Sequence, residues 1–257
     1  MNSIQSINPK LRNIKLIVEY DGTNYHGWQS QAGTGQPTIQ DTLDRAIRTL
    51  IGEDVKILSS GRTDAGVHAF GHVSNFKTGS RIPSGAWAPA LNHLLPYDIR
   101  VLASEDVAKD FHARYSALGK IYMYRILNKP QPTALYRNYA WHVPKRLNVK
   151  KMRFAASALK GKHDFSTFRS SGCTAKSPIR TIQSVVVKKT KDFVEIWVEA
   201  DAFLQYMMRN IAGTLVEVGL GRFVPEDVKR MLILCDRTTA GRTAPPQGLY
   251  LVKVIYD

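Results

Sequence analysis

The sequence predicts an α+β fold made of two halves, each of which approximates a split βαβ plan. Strand and helix patterns alternate along the chain, but without the strict βα rhythm of a parallel sheet. Residues 180–189 and 193–200 form two adjacent strand patterns, which is typical of an antiparallel pair. A length of 257 residues suits one large domain or two modest ones that share a core.

The first half contains the patterns of several strands and two helices. Residues 14–20 alternate apolar side chains on one face, as a strand does, and end at the turn pair Asp21-Gly22. Thr38 can cap a helix whose apolar residues recur at helical spacing. The other predicted elements are a strand over 55–60, a strand through Val73 and Phe76, a helix that begins at Pro83-Ser84, and a short strand over 99–102.

The second half repeats this order with longer elements. They are a strand over 120–127, a helix over 148–159 closed by Gly161, the two antiparallel strands, a long helix over 205–219, a shorter helix opened by Pro225, and a final strand over 248–256. Loops over 34–37 and 170–178 separate elements, and no pattern assigns a role to 170–177. We therefore expect an N-terminal α+β subdomain over 1–108 and a C-terminal one over 109–257.

Composition and charge limit the possible functions. Hydrophobic residues make up 44% and charged residues 22%, which is typical of a soluble globular protein. No apolar stretch approaches the length of about 20 residues that a membrane helix needs, and residues 1–13 are too polar for a secretory signal. Cys173 and Cys235 are far apart, which disfavours a disulfide framework or zinc knuckle and favours a cytoplasmic location.

The chain is strongly basic, with 36 Lys and Arg residues against 21 Asp and Glu residues and a net charge of +15. Such an excess favours a polyanionic partner, either nucleic acid or an anionic membrane. The basic residues are spread along the whole chain rather than gathered in a tail. This distribution indicates a charged face on a folded body.

The residues best suited to chemistry lie in Gly-Arg-Thr-Asp-Ala-Gly-Val-His at 61–68. Two glycines bracket Arg62 and Asp64, so both polar side chains are presented on a tight turn. An arginine beside an aspartate favours the ionised carboxylate, which suits a nucleophile or a base. An ordinary salt bridge in a loop would have the same spacing, and the spacing alone does not exclude it.

A metal site is the competing interpretation of this segment. Asp64, His68 and His72 recur every four residues, which on a helix would be a metal-ligand spacing. The three glycines within 61–71 make a helix improbable, and on a strand these side chains would spread along the edge. The sequence therefore disfavours metal binding. It also lacks a dinucleotide motif, a Walker lysine and a serine nucleophile elbow.

The motif at 61–68 is one of a series that covers nearly the whole chain. The others are Glu19–Gly22, Tyr25–Gln29, Asp110–Arg114, Lys120–Tyr124, His163–Arg169, Met208–Asn210 with Gly213, and Ala244–Pro245 through Gly248–Leu251. In this order they resemble the motifs of the TruA family of tRNA pseudouridine synthases. So many ordered matches make the resemblance highly specific.

The resemblance implies an isomerase that uses neither cofactor nor metal. The C1′–N1 bond of uridine breaks, the uracil turns over, and C5 joins C1′, so nothing is oxidised or hydrolysed. The substrate would be the anticodon stem-loop of tRNA, at positions 38, 39 and 40. Asp64 would be the carboxylate that attacks or deprotonates the nucleotide. Arg62 would orient Asp64 and lie near the flipped base.

The resemblance also implies four substrate-binding residues. Tyr122 would stack on the flipped uracil, Arg209 would lie near the catalytic carboxylate, and Leu249 would form an apolar wall of the pocket. His68 would border the site. The residues alone favour a core position for Tyr122, because it shares one strand face with Tyr124.

The fold implied by the resemblance is a pair of ferredoxin-like halves, whose curved, mainly antiparallel sheet carries a central catalytic cleft. The partners implied are a tRNA and a second copy of the chain in a homodimer, with no membrane. Two alternatives stay open. One is a non-catalytic RNA-binding module of the RRM type, which residues 69–73 match loosely. The other is a metal-dependent RNase that uses Asp64 and the nearby histidines.

Overall fold

A computed structural model describes residues 11–30 and 35–257 of the chain. Residues 1–10 and Thr34, the first residue of a predicted loop, lie outside the described part. The strands are β1 (Arg12–Tyr20), β2 (Leu58–Ser59), β3 (His68–Thr78), β4 (Ile99–Val107), β5 (Gly119–Leu127), β6 (Trp141–His142), β7 (Gly161–Asp164), β8 (Ile179–Thr190), β9 (Phe193–Ala200) and β10 (Leu249–Ile255). The helices are α1 (Ile39–Ile51), α2 (Trp87–Leu94), α3 (Val149–Ser157), α4 (Met207–Gly219) and α5 (Asp227–Leu234).

The described strands form one sheet in the order β4-β1-β3-β10-β5-β9-β8-β7, with β2 paired to β3 and β6 paired to β5. All pairs are antiparallel except β3 with β10 and β5 with β6. The predicted α+β class with a mainly antiparallel sheet is confirmed. The division into two ferredoxin-like halves, with a boundary at residue 108, stays a prediction.

Local sequence signals explain the first helix. The Thr38 side chain accepts a hydrogen bond from the Asp41 main-chain nitrogen at 3.1 Å, which confirms the predicted cap. Gly52 ends the helix in the left-handed conformation, with φ of 69°. Ile39 and Leu43, on the apolar side of α1, are fully buried. None of the described helices is long and apolar enough to cross a membrane.

Several predicted boundaries differ from the structure. The strand predicted over 55–60 pairs only at Leu58–Ser59. Gly161 begins β7 instead of directly closing α3, which ends at Ser157. The short strands β6 and β7 were not predicted, because two to four residues carry little periodicity.

A bulge in β3 determines where the two histidines of this strand point. Val18 pairs with His72, but Tyr20 pairs with Ala69, so β3 contains one extra residue between these pairs. The extra residue reverses the side-chain alternation, and residues four apart then face opposite sides of the sheet. His72 accordingly stacks on Trp28, with ring centroids 3.6 Å apart, whereas His68 stacks on Tyr250 at 4.8 Å.

Candidate active site

The loop between β2 and β3 carries Asp64, and buried contacts hold its main chain. The Thr63 hydroxyl is hydrogen-bonded to the hydroxyl of Tyr20 at 2.8 Å, and the Thr63 carbonyl accepts from the Trp28 main-chain nitrogen at 3.1 Å. A Cβ at Gly27, whose φ is +86°, would lie 2.4 Å from the Thr63 oxygen. Only glycine therefore allows this close approach of the two segments, and the motif at 25–29 supports the Asp64 loop.

Asp64 forms an ion pair with Arg209, in the first turn of α4. Arg209 Nη1 donates to Asp64 Oδ2 at 3.1 Å, and the side chains are 13% and 27% exposed, respectively. Arg209 Nε donates to the Ala244 carbonyl at 2.8 Å, and the Ala244 nitrogen donates back to the Arg209 carbonyl. The Tyr206 ring lies 4.7 Å from the guanidinium carbon. These contacts orient the charged pair while leaving the carboxylate partly accessible.

The ion-pair partner of Asp64 differs from the sequence-based expectation. Arg62 is exposed and has neither an ion pair nor a hydrogen bond to Asp64, so the prediction that Arg62 pairs with this carboxylate was wrong. Arg209, which is distant in sequence, holds that position. Burial raises the pKa of Asp64, and the charge and hydrogen bond of Arg209 oppose the shift without cancelling it. An arginine partner therefore favours the ionised form of Asp64, as expected of such a pair, but burial outweighs it.

Tyr122 lies beside this pair in the middle of the sheet. In β5 it pairs with Leu251 of β10 on one side and Val198 of β9 on the other. Its ring packs edge-on against Phe203, with centroids 4.7 Å apart, and only 8% of the residue is exposed. Burial raises the pKa of Tyr122, and the negative charge of Asp64 raises it further. The Tyr122 side chain thus interacts electrostatically with the Asp64 carboxylate, although the residue is mostly buried.

The candidate site brings together residues from motifs that are spread over nearly the whole chain. The similarity to known proteins also extends over nearly the whole chain. A family described as tRNA pseudouridine synthase matches residues 16–116 and 155–257. A tRNA pseudouridine synthase A of Thermoanaerobacter sp. (strain X514) is 49% identical over 246 residues, which cover 96% of this chain and 100% of that protein. The chain belongs to the tRNA pseudouridine synthase family.

Other relatives agree. A tRNA pseudouridine synthase A of Acetivibrio thermocellus and a tRNA pseudouridine synthase A 2 of Clostridium perfringens are each 49% identical, over 96% of this chain and 100% of each relative. A solved Cbf5-Nop10-Gar1 complex contains a chain that is 11% identical and superposes with a TM-score of 0.38, over 92% of this chain and 57% of its own. That likeness is weak, so the family membership rests on the sequence matches. Membership favours catalysis over the RRM-type alternative.

In this family member His68, four residues after Asp64, is a buried residue of β3. The ring is 2% exposed. Its Nδ1 accepts from the Gly22 nitrogen at 3.1 Å and its Nε2 lies 2.9 Å from the Asn138 carbonyl. Burial lowers the pKa of His68 despite the nearby Asp21 carboxylate. A ring with both nitrogens engaged by main-chain groups suits a structural role better than the predicted contact with substrate.

Leu249 begins β10 opposite Tyr124 and is 6% exposed. The Tyr124 hydroxyl donates to the Pro245 carbonyl at 2.6 Å, which holds the segment leading into Leu249. This segment includes Ala244, the partner of Arg209. The motif from 244 to 251 therefore orients Arg209 and also contains Leu249, which pairs with Tyr124 in the sheet.

Sequence reasoning missed two aromatic residues of the candidate site: Tyr206, which contacts Arg209, and Phe203, which packs on Tyr122. Tyr206 precedes α4 with φ of 63°, a left-handed conformation that is unusual for a residue other than glycine. Such strained residues cluster at functional sites. Only their aromatic character, just before the helix with Arg209, could have indicated them.

The metal-dependent alternative needs a set of metal ligands. Within residues 11–30 and 35–257, no three His, Cys, Asp or Glu side chains lie close enough together to hold a metal ion. The ring nitrogens of His68 bond to main-chain groups, and His72 Nε2 lies 3.0 Å from the Gly61 carbonyl. Because His68 and His72 face opposite sides of the sheet, they do not meet at Asp64.

Proposed function

We propose that the chain converts uridine to pseudouridine in tRNA, with Asp64 as the catalytic nucleophile or base. The observation that carries this proposal is the ion pair of Asp64 and Arg209 beside Tyr122, in a member of the tRNA pseudouridine synthase family. Burial makes the carboxylate more basic than an exposed one, and Arg209 favours its ionised form. Such a group suits attack on C1′, attack on C6, or removal of the 2′ proton.

Arg62 and Tyr122 would handle the flipped nucleotide. The target base must leave its stack at a cost of a few kcal/mol, and an aromatic ring that receives it recovers about 1–3 kcal/mol. Tyr122, beside Asp64, is the ring that we assign to this role, with Leu249 as an apolar wall. Since Arg62 is exposed and not paired to Asp64, its guanidinium is free to contact RNA.

Tyr122→Phe separates the assigned stacking role of the ring from any role of the hydroxyl. We expect the variant to fold like the wild type and bind tRNA equally well, because the ring and its packing on Phe203 remain. Its single-turnover rate should fall only if the hydroxyl transfers a proton. Tyr122→Ala removes the ring of a residue that is only 8% exposed, so a loss of about 3–5 kcal/mol of folding stability is expected in that variant. A Tyr122→Phe variant that melts far below wild type would show that the hydroxyl has a structural role.

The reaction itself is tested with a tRNA transcript labelled in uridine. We expect labelled pseudouridine to form while the strand stays intact, with and without a chelator. Cleaved RNA that needs a divalent ion would support the RNase alternative, and binding without conversion would support the RNA-binding module. No cofactor is proposed, because the isomerisation transfers no electrons to or from the substrate.

We further propose the anticodon stem-loop, at positions 38, 39 and 40, as the target. This rests on the motif resemblance, and transcripts that retain uridine at only one of these positions test it. Conversion confined to uridines elsewhere in the tRNA would contradict the proposal.

Binding of tRNA should depend steeply on salt. The net charge of +15 is spread over a folded body, so phosphate neutralisation with release of counterions should supply most of the affinity. A protein that contacts 6–10 phosphates loses roughly 10³–10⁵ in affinity between about 50 and 200 mM salt. A filter-binding titration at several salt concentrations measures this dependence. An affinity that does not change with salt would show that the excess positive charge does not supply the binding energy.

A homodimer in the cytoplasm is the assembly and location that we propose. One face of β9 is in the core, whereas Trp197 and Glu195 on the other face are only partly buried. Val186, which pairs with Trp197, is 41% exposed. This face would be available to a second copy, and sedimentation at twice the mass of the chain would support the dimer.

A further inference from the structure

Lys120 is a mostly buried lysine without a role in the reaction proposed above. It lies on β5, two residues before Tyr122 and on the same strand face. Its Nζ donates to the Ser60 carbonyl at 2.7 Å. Burial, and next the charge of Arg114, lowers the pKa of Lys120 to about 8. Burying an ammonium group is unfavourable unless the group is hydrogen-bonded or paired with an opposite charge. The hydrogen bond of Lys120 is to Ser60, the residue that begins the Asp64 loop.

The next carbonyl of the loop is held in the same way. His72 Nε2 lies 3.0 Å from the Gly61 carbonyl. Burial lowers the pKa of His72 to about 3, so the ring is neutral and Nε2 carries the donated proton. Lys120 and His72 thus hold two consecutive carbonyls, those of Ser60 and Gly61, three to four residues before Asp64.

The absence of a side chain at Gly61 leaves the space that the Lys120 ammonium group occupies. A Cβ at residue 61 would lie 2.6 Å from Lys120 Nζ, well inside contact distance, but 3.8 Å from Lys120 Cε, which is ordinary contact. Gly61 has no positive φ, so alanine is compatible with the backbone there. Adding a methyl group at this position would therefore displace the ammonium from the Ser60 carbonyl while leaving the rest of the lysine in place.

From this geometry we propose that Lys120 is a positioning residue, which places the Asp64 carboxylate by holding the main chain of its loop through the Ser60 carbonyl. The inference rests on the proposed role of Asp64. The Lys120 ammonium bonds to the Ser60 carbonyl, whereas the ion-pair partner of the Asp64 carboxylate is Arg209. A shift of about 1 Å in a catalytic group can lower a rate by about a hundredfold, so loss of this hydrogen bond should slow the reaction.

The first measurement is single-turnover pseudouridine formation by Lys120→Met, with its tRNA dissociation constant. We expect the rate to fall by about tenfold to a hundredfold and the affinity to change no more than in Lys15→Met. Lys15 is the matched control, because it is also a partly buried lysine but binds Glu105 at 2.8 Å on the neighbouring strand. Lys15→Met should retain the wild-type rate. A substrate-binding lysine would instead lose affinity.

The second measurement is a double-mutant cycle with Gly61→Ala. In the wild-type background the added methyl group displaces Nζ, so the rate should fall by about as much as in Lys120→Met. In the Lys120→Met background the side chain ends at the position of Cε, so Gly61→Ala should change the rate less than about twofold. Such coupling is expected only of residues that act on each other, and a general loss of stability would not produce it.

Two results would overturn the inference. One is a Lys120→Met rate within about twofold of wild type, and the other is independent, additive effects in the cycle. If Lys120→Met does not fold, Gly61→Ala alone decides, because a wild-type rate in that variant contradicts the positioning role. If the wild-type chain converts no uridine, or if Asp64→Asn retains full activity, the proposed function fails first.

Discussion

Asp64→Asn is expected to abolish pseudouridine formation while leaving the fold and tRNA binding intact. Asparagine has nearly the same size and accepts hydrogen bonds, but it cannot act as a carboxylate nucleophile or base. The single-turnover rate should fall by more than about a thousandfold, as it does when an enzyme loses its nucleophile. The measurement uses enzyme in excess over a labelled transcript. Residual activity within about tenfold of wild type would exclude Asp64 as the catalytic group.

Stability and affinity are the controls for this variant. Burial raises the pKa of Asp64, so the ionised side chain is itself unfavourable in the folded state. Arg209 keeps its bond to the Ala244 carbonyl and its contact with Tyr206 when the carboxylate is removed. We therefore expect the melting temperature to change by only a few degrees. The affinity for tRNA should be unchanged or slightly higher, because one negative charge is lost.

Arg209→Met should give the second largest effect, and it should depend on pH. The positive charge of Arg209 opposes the rise in the pKa of Asp64. Without that charge the pKa rises further, and less of the carboxylate is ionised at neutral pH. We expect a rate loss of about a hundredfold near pH 7, which becomes smaller as the pH rises through the new pKa. Single-turnover rates between about pH 5 and 9 test this.

The direction in which the pH–rate profile shifts distinguishes an electrostatic role of Arg209 from a general structural disturbance of the site. The active ionised form increases with pH, so the acid limb of the profile must move to higher pH in Arg209→Met. Arg209→Lys keeps the charge but lacks the planar group that bonds to both Asp64 and Ala244. Its acid limb should stay closer to that of wild type, with a lower plateau. A parallel loss of rate at every pH in Arg209→Met would contradict the electrostatic role.

Strong local patterns predicted much of the fold. The cap at Thr38 and the apolar spacing after it define α1, and strict alternation defines β9. Such signals lie within one element, so a single sequence shows them. The bulge in β3 depends instead on pairing with β1, and no local pattern revealed that His68 and His72 face opposite sides.

The candidate site was predictable in its residues but not in its pairs. Motif resemblance indicated both Asp64 and Arg209, yet local spacing favoured Arg62 as the partner of Asp64. The true partner is 145 residues away and is brought close by the packing of α4 against the sheet. Burial of Asp64 and Lys120 also depends on distant segments. The directions of their pKa shifts therefore could not be inferred from neighbours along the chain.

The central position of β10 has a consequence for how the site is assembled. This strand follows the other described strands in chain order, yet it lies between β3 and β5 and so joins β4, β1 and β3 to the strands on its other side, β5, β9, β8 and β7. The segment before it supplies the carbonyl that holds Arg209. Contacts of such long sequence separation form slowly, because a large loop must close first. The ion pair of Asp64 and Arg209 joins residues 145 apart in sequence, so we expect it to be among the contacts that form late in folding.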